Sequence, residues 1–169
     1  EPVKALRFPT MLNKTNENQY VSTMLTVTVE QKIYDKINQF CLKTGVTKYQ
    51  YFLSVFYTLV HNLLGVNQLC VGTPIANRTY RELENEIGYF TNTLPVFLQS
   101  EGSITGEELL EYVKTSVVND FQHQKAGLDE ILADRKLFFK DSKLELFNGL
   151  FAFHNFPDVN DRMSGCTIT

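Results

Sequence analysis

The sequence has no tryptophan and only three cysteines and three histidines among its 169 residues. Cys41, Cys70 and Cys166 are an odd number, and no two of them form a C-x-x-C pair. This pattern favours neither a disulfide framework nor a structural zinc site. A reducing, cytoplasmic location is therefore the expected one.

An excess of charge of one sign is also missing. The chain has 16 Lys and Arg against 19 Asp and Glu, with no basic run. We therefore expect no nucleic-acid partner and no anionic membrane surface. The longest apolar stretch, residues 49–64, contains polar residues and is shorter than the ~20 residues that cross a bilayer. It predicts a buried helix.

The three histidines are the first candidates for a catalytic base, and none has a convincing partner. The pattern places His61 in the buried helix, where a hydrogen-bonded structural role is favoured. His123 ends a helix, where its positive charge suits the helix dipole. His154 has Asp158 four residues on but no third ligand for a metal. With no Walker loop and no G-x-S-x-G turn, the sequence predicts neither a catalytic residue nor a metal site.

The first half of the chain predicts one strand and two helices. Apolar and polar residues alternate over 20–29, as in a half-buried strand. Thr28 and Gln31 have capping-box spacing before a helix over 29–44. Thr47 and Gln50 repeat that spacing before a second, more apolar helix, which Gly65 ends.

The second half predicts alternating short elements. A strand covers 68–73, a loop with a helical turn follows over 74–85, and a second strand covers 93–98. Pro95 within that strand implies an edge position or an interrupted ladder. Thr105 and Glu108 open a helix reaching about residue 124, followed by a shorter helix over 128–135 and a strand over 146–153.

Together these elements predict a mixed α/β fold. We expect strands near Leu25, Val71, Leu94 and Leu150 to share one sheet, with the helix over 52–63 packed on it.

Two segments separated by a short charged stretch carry the clearest motifs. Residues 71–78 read Val-Gly-Thr-Pro-Ile-Ala-Asn-Arg, and residues 87–95 read Ile-Gly-Tyr-Phe-Thr-Asn-Thr-Leu-Pro. Gly72 and Gly88 permit close backbone approach, while Asn92 and Thr93 place polar groups at a strand start. Taken alone, the same residues are also those commonly found in ordinary turns.

The second segment closely resembles the fifth conserved motif of the condensation domains of non-ribosomal peptide synthetases. The first is similar to the glycine-threonine-proline segment and arginine that precede that motif. Residues 121–124 resemble the start of the sixth motif, and residues 141–147 weakly resemble the seventh. All four segments stand in the family's order and spacing.

The resemblance implies one lobe, the C-terminal one, of a two-lobed fold like that of chloramphenicol acetyltransferase. Residues 1–19 would then be an inter-lobe linker, 20–156 part of the lobe, and 157–169 an irregular tail. In the family such a domain joins donor and acceptor acyl groups by an amide bond. The acyl groups are attached to phosphopantetheine arms of carrier proteins. The resemblance therefore implies no cofactor on this chain itself.

For individual residues, the resemblance implies a place in the acceptor-side wall and floor of the tunnel. Gly72, Thr73, Asn92 and Thr93 would contact substrate, and Gly88 would shape the loop between them. Arg78 carries a planar fork of donors that can bond loop carbonyls or a carboxylate in two directions. We therefore expect Arg78 to hold this loop in place.

The family's double-histidine motif belongs to the other lobe and is absent from this sequence. The expected partners are therefore that N-terminal lobe and the carrier proteins, and we expect the chain alone to be inactive.

Two departures from the family pattern leave other functions open. The arginine that closes the fifth motif is Phe97 here, and the sixth motif's aspartate, proline and phenylalanine correspond to Lys125, Gly127 and Leu128. One alternative is a non-catalytic platform that recruits a partner protein. The other is an acyltransferase that uses a soluble acyl thioester.

Overall fold

The computed structural model describes residues 23–100, 104–128, 130–131, 147 and 149–155. In chain order the elements are α1 (Gln31–Thr44), α2 (Lys48–Leu64), β1 (Gln68–Ile75), β2 (Asn92–Gln99) and α3 (Gly106–Gln122), with a 3-10 turn at Arg81–Leu83. The predicted mixed α/β class is confirmed. The predicted linker over 1–19 and tail over 157–169 lie outside the described residues, so the proposed division of the chain stays a prediction.

Helices α2 and α3 begin at the predicted capping boxes. The Thr47 side chain accepts a hydrogen bond from the Gln50 N–H at 3.2 Å, and the Gln50 side chain accepts one from the Thr47 N–H at 2.9 Å. Thr105 and Glu108 make the same exchange at the start of α3. Gly65 ends α2 with φ at 64°, a left-handed conformation that glycine adopts without a Cβ penalty.

The predicted capping box of α1 is wrong. Its N-cap is Glu30 and no side chain caps it. The Gln31 side chain donates instead to the Asp35 carboxylate, one turn along the helix, at 2.9 Å. The capping interaction fails because Thr28 lies two residues ahead of the cap, beyond reach of the first-turn N–H groups.

The core lies between the sheet and two helices. β1 and β2 are antiparallel, and one face of this ribbon carries Leu69, Val71, Val96 and Leu98. Helices α2 and α3 cover that face with Leu53, Tyr57, Val60, Leu109, Val113 and Val117. Since Leu53 and Val60 are almost completely buried, the predicted packing of α2 on the sheet is confirmed.

The outer side of β1 carries a third, very short strand. The Gly72 N–H donates to the Gly149 carbonyl at 3.0 Å, and the Phe151 N–H donates to the Gly72 carbonyl at 2.9 Å. This is a parallel bridge centred on Gly72 and Leu150. The predicted strand near Leu150 therefore joins the sheet, but as a single bridge among the described residues.

Side chains from α3 cover the outer edge of β2. The Gln99 N–H donates to the Tyr112 hydroxyl at 2.9 Å, and the Ser116 hydroxyl donates to the Phe97 carbonyl at 3.1 Å. The Asp120 carboxyl faces the Phe97 N–H, which lowers its pKa. Pro95, next along this edge, has no N–H to satisfy, as its predicted edge position requires. The polar stripe at positions 112, 116 and 120 thus closes the edge against another strand.

The predicted strand over 20–29 is wrong where it can be judged. Residues 23–29 have no regular secondary structure and are exposed, while residues 20–22 lie outside the described residues. Leu25, expected in the sheet, is 89% exposed. A strand needs a partner for its backbone groups, and residues 23–29 make no backbone hydrogen bond with any other residue that the structure describes.

Candidate functional site

The predicted substrate-contacting residues meet at one end of the β1–β2 ribbon. Pro74 lies opposite Thr93, and Ile75 lies opposite Asn92. Gly72 and Thr73 lie opposite Pro95 and Leu94, the next residues along β2 from Asn92 and Thr93. Because side chains alternate along a strand, Thr73 and Asn92 lie on the core-facing side of the ribbon, and Gly72 and Thr93 lie on the other side. The loop over 76–91, which contains Arg78 and Gly88, connects the two strand ends.

Thr73 is buried, and its hydroxyl already has two partners. It donates to the Phe151 carbonyl at 3.2 Å and lies 2.8 Å from the Tyr49 hydroxyl. Because the single hydroxyl proton goes to Phe151, Tyr49 must donate to Thr73. The side chain therefore ties α2 and the third strand to β1, and a contact with substrate stays a prediction.

Asn92 connects the site to the turn that follows α3. Its Nδ2 donates to the carbonyls of Gln124 and Ala126 at 3.3 and 3.2 Å. Its Oδ1 accepts from the Thr93 N–H at 2.9 Å. The segments that resemble the fifth and sixth motifs are thus held together by one amide side chain.

Arg78 lies at the centre of the connecting loop. Its Nη1 donates to the Leu83 carbonyl and, at 2.9 Å, to the Glu86 carbonyl. Its guanidinium lies over the Phe90 ring, 4.6 Å from the centroid. A Cβ on Gly88 would stand 2.8 Å from that ring, so glycine is needed for Phe90 to lie where it does.

The same loop exposes its apolar side chains. Ile87 and Tyr89 are almost fully exposed, and Tyr80 is mostly so. Lys125, one of the departures from the family pattern, has its ammonium 5.3 Å from the Tyr80 ring centroid. The interior of the loop is thus organised around Arg78, while Tyr80, Ile87 and Tyr89 lie on its outer surface among exposed charged residues.

Asp120 is a half-buried acid that sequence reasoning missed. Burial raises the pKa of its carboxyl from the ordinary 3.8 to about 6, against the lowering effects of the Phe97 N–H and of nearby His123. Its Oδ2 is buried and has no hydrogen-bond partner among the residues that the structure describes. The sequence did contain a signal for it: Tyr112, Ser116 and Asp120 are spaced four residues apart on a predicted helix. Such spacing indicates a polar helix face, which could cover the proline-containing edge strand.

Tyr49 faces the same region from α2. Burial raises the pKa of its hydroxyl, the hydrogen bond with Thr73 lowers it, and the charge of Asp120 raises it further. Both groups hold their protons more strongly than in water. This suits an apolar structural junction better than a site for proton abstraction.

The histidines make local structural contacts. His61 Nδ1 lies 2.9 Å from the Val66 carbonyl, and its ring stacks on Tyr57. His123 is the C-cap of α3. Asp158, the predicted companion of His154, lies outside the described residues. Among the residues that the structure describes, no group of three or more His, Cys, Asp or Glu could hold a metal ion.

Comparison with known families identifies this sequence. The family model for the condensation domain matches residues 1–165. The chain belongs to the condensation domain family. The two motifs predicted a condensation domain of the non-ribosomal peptide synthetase type. This prediction is confirmed.

Known relatives of this condensation-domain chain are much longer. It is 32% identical over 134 residues to PF 1022-synthetase of Rosellinia sp., covering 79% of this chain and 4% of the relative. It is 28% identical over 166 residues to bacitracin synthase 2 of Bacillus licheniformis, covering 98% of this chain and 6% of the relative.

A solved structure shares the fold. The condensation domain of the monacolin K polyketide synthase MokA is 26% identical, with a TM-score of 0.58, covering 68% of this chain and 25% of that one. The chain therefore spans a small part of its curated relatives and about a quarter of this domain structure. No helix in the described ranges has the length and apolar character to cross a membrane.

Proposed function

We propose that this chain forms the acceptor-side wall and floor of the tunnel in a non-ribosomal peptide synthetase condensation domain. The complete domain joins donor and acceptor acyl groups by an amide bond. The observation that carries the proposal is the pairing of Pro74 with Thr93, which brings the two family motifs together at one end of the ribbon.

The chemistry of this end suits a wall better than a catalytic centre. It offers backbone and the Thr93 hydroxyl, while the Thr73 hydroxyl and the Asn92 amide are bonded within the fold, and no base is paired with a nucleophile among the described residues. A neutral polar surface suits a thioester and an amine, neither of which needs a fixed charge to be positioned. The base would come from the double-histidine motif of the N-terminal lobe, the first partner of this chain.

The substrates reach such a site on other proteins. In this proposal the donor and acceptor are thioesters on phosphopantetheine arms of carrier proteins, so the arm enters the tunnel with its protein. The chain itself then needs no bound cofactor. The exposed loop around Arg78 lies beside the wall, next to the strand ends.

The test is an intact condensation domain that contains this chain, assayed with loaded donor and acceptor carrier proteins. Thr93→Val removes one hydroxyl and keeps the side-chain shape. We expect amide formation to slow by about 10-fold, the effect of one lost hydrogen bond. Thr115→Val, an exposed site on α3, is the matched control and should leave the rate unchanged.

Other outcomes separate the alternatives. Equal rates for Thr93→Val and wild type would show that this strand end does not touch substrate. If the wild-type domain makes no amide yet binds a partner protein, it is a recruiting platform. If it accepts a soluble acyl thioester in place of a loaded carrier protein, it is a free acyltransferase.

A further inference from the structure

The face of the β1–β2 ribbon that points away from the core has a composition of its own. Helices α2 and α3 pack on the core-facing side. Because side chains alternate along each strand, the register fixes the members of the other side, here called the reverse face. They are Gln68, Cys70, Gly72, Pro74, Thr93, Pro95, Phe97 and Gln99. None of these eight strand residues is Asp, Glu, Lys or Arg.

Phe97 is the largest side chain that the two strands place on the reverse face. It lies directly opposite Cys70, and Pro95 precedes it on the same face. Cys70 is buried, whereas Phe97 is half-buried, so part of its ring is accessible. The ring therefore offers apolar surface on the side of the ribbon away from α2 and α3.

The apolar surface continues across the ribbon from Phe97. Pro95 lies opposite Gly72, and two apolar side chains take the space over that glycine. A Cβ on Gly72 would stand 2.6 Å from Leu150 Cδ2 and 2.7 Å from Phe147 Cζ. A ligand that lies along the reverse face thus meets rings and methyl groups rather than charges.

Thr93 connects this face to the proposed function. It is the residue that the proposal places against the substrate, and it shares both its strand and its face with Phe97. Four residues of strand separate the two, a distance of about 13 Å. A pantetheine arm with its aminoacyl group is longer than this span, so one extended ligand can contact both side chains.

We propose that Phe97 determines which acceptor the domain takes, namely an aminoacyl group with an uncharged, apolar side chain that packs on the Phe97 ring. The family pattern has arginine at this position, which would add a charge and a fork of donors. A phenyl ring offers neither, so a polar acceptor side chain loses water there without a replacement hydrogen bond. The inference depends on the proposed function in placing the acceptor on the reverse face.

The test compares two acceptor analogues on the intact condensation domain. Each has an aminoacyl group, leucyl or asparaginyl, joined to aminopantetheine by an amide in place of the thioester. The two side chains are similar in shape and both are neutral, so they differ mainly in polarity. Calorimetry should show the leucyl analogue binding about 10-fold more tightly to the wild type, the effect of burying part of an apolar side chain.

Variants assign that preference to one side chain. Phe97→Gln should reduce it to about 2-fold or less, and Phe97→Leu should keep most of it, because leucine is apolar. Val118→Gln, which removes a half-exposed apolar side chain from α3, is the matched control and should keep the full preference. Equal binding of the two analogues by the wild type, no binding of either, or an unchanged preference in Phe97→Gln would overturn the proposal.

A second measurement covers the case in which Phe97→Gln does not fold. A para-fluorophenylalanine at position 97 keeps the ring, and its fluorine resonance in the intact domain should shift when the leucyl analogue binds. An unmoved resonance at saturation would contradict contact between the ring and the acceptor.

These binding readouts do not depend on catalysis. A domain with the Phe97-dependent preference that makes no amide from loaded carrier proteins would retain this inference while the proposed function fails. A domain that makes amide without such a preference would show the reverse.

Discussion

Arg78 and Asp120 are both charged, yet their surroundings give them opposite effects on stability. The Arg78 guanidinium donates to two carbonyls of its own loop and lies over an aromatic ring. The Asp120 carboxyl faces the Phe97 N–H at the sheet edge, while its Oδ2 is buried with no hydrogen-bond partner within the described part of the chain. The first charge is compensated by the groups around it, and the second is compensated only in part.

Replacing Arg78 should loosen the loop over 76–91. We expect Arg78→Ala to lower the free energy of unfolding by about 2 kcal/mol, for two charge-assisted hydrogen bonds and a cation–π contact at a half-exposed site. Arg78→Lys should recover less than half of this, since an ammonium lacks the planar fork. Urea unfolding with limited proteolysis of the loop measures both effects.

Arg81→Lys is the control for Arg78, because Arg81 is exposed on the same loop. It should change neither stability nor cleavage of the loop. If Arg78→Lys matches wild type in both measurements, the arginine is not what organises the loop.

Replacing Asp120 should stabilise the protein at neutral pH. The pKa of the folded state is about 6 and the ordinary value is 3.8, so the folded state binds more protons between these values. The stability that this group contributes to the wild type is therefore fully present below pH 3.8, falls as the pH rises from there to about 6, and stays low above. Asp120→Asn keeps an acceptor for Phe97 without the charge. We expect a gain of roughly 1 kcal/mol at pH 7.5 after allowance for solvent screening of a half-exposed group.

The measurement for Asp120→Asn is the difference in unfolding free energy from wild type between pH 5 and 7.5. This difference should grow as the pH rises through 6. Glu111→Gln, which removes an exposed carboxylate from the same helix, is the control measured beside it. A flat profile for Asp120→Asn would show that the carboxyl titrates as it does in water.

At the scale of elements, β1 is the strand on which the others assemble. It has β2 on one side and residues 149–151 on the other. Gly72 is the position where the two meet. A Cβ there would stand 2.6 Å from Leu150 Cδ2 and still closer to the Phe147 ring, so glycine is required by close packing rather than by a turn.

Gly72→Ala should therefore displace the third strand. We expect a loss of about 1–3 kcal/mol from overpacking, with faster hydrogen exchange at the Phe151 amide. Gly106→Ala is the matched control, since a Cβ there meets nothing within 4 Å and alanine favours the helix. Unchanged exchange at Phe151 in Gly72→Ala would mean that Leu150 and Phe147 move aside without cost.

At the scale of the whole molecule, the described residues form one core, and the surface around it is apolar in several places. α2 buries Leu53 and Val60 against the sheet and α3, while Val55, Leu59 and Leu63 on its other side are about half exposed. Together with the exposed 23–29 segment and loop tip, this agrees with a chain that spans about a quarter of a condensation domain structure. The fold has its own core and leaves apolar surface for its neighbours.

Leu53→Ala should weaken the whole fold, because this side chain is fully buried between elements. We expect a loss of about 3 kcal/mol. Leu59→Ala, on the exposed side of the same helix, should cost less than about 1 kcal/mol in this chain. Chemical denaturation with a helix signal measures both, and equal losses would show that α2 is not oriented as described.

The sequence by itself determined the features that depend on near neighbours. Thr47 with Gln50 and Thr105 with Glu108 each span one helical turn, so capping-box spacing was enough to place the starts of α2 and α3. The two strand motifs were also sufficient to identify the family, because they are continuous and stand in a characteristic order. The strand over 20–29 failed because alternation reports a tendency to pair but not the presence of an edge.

Only the tertiary structure decided which distant groups meet. The contact of Thr73 with Phe151 joins residues 78 positions apart, and the stripe of Tyr112, Ser116 and Asp120 acquires its role only beside β2. The pKa of Asp120 likewise depends on burial by other elements. Hydrogen bonding and desolvation act over a few ångströms in space, and folding brings together residues whose separation along the chain carries no such information.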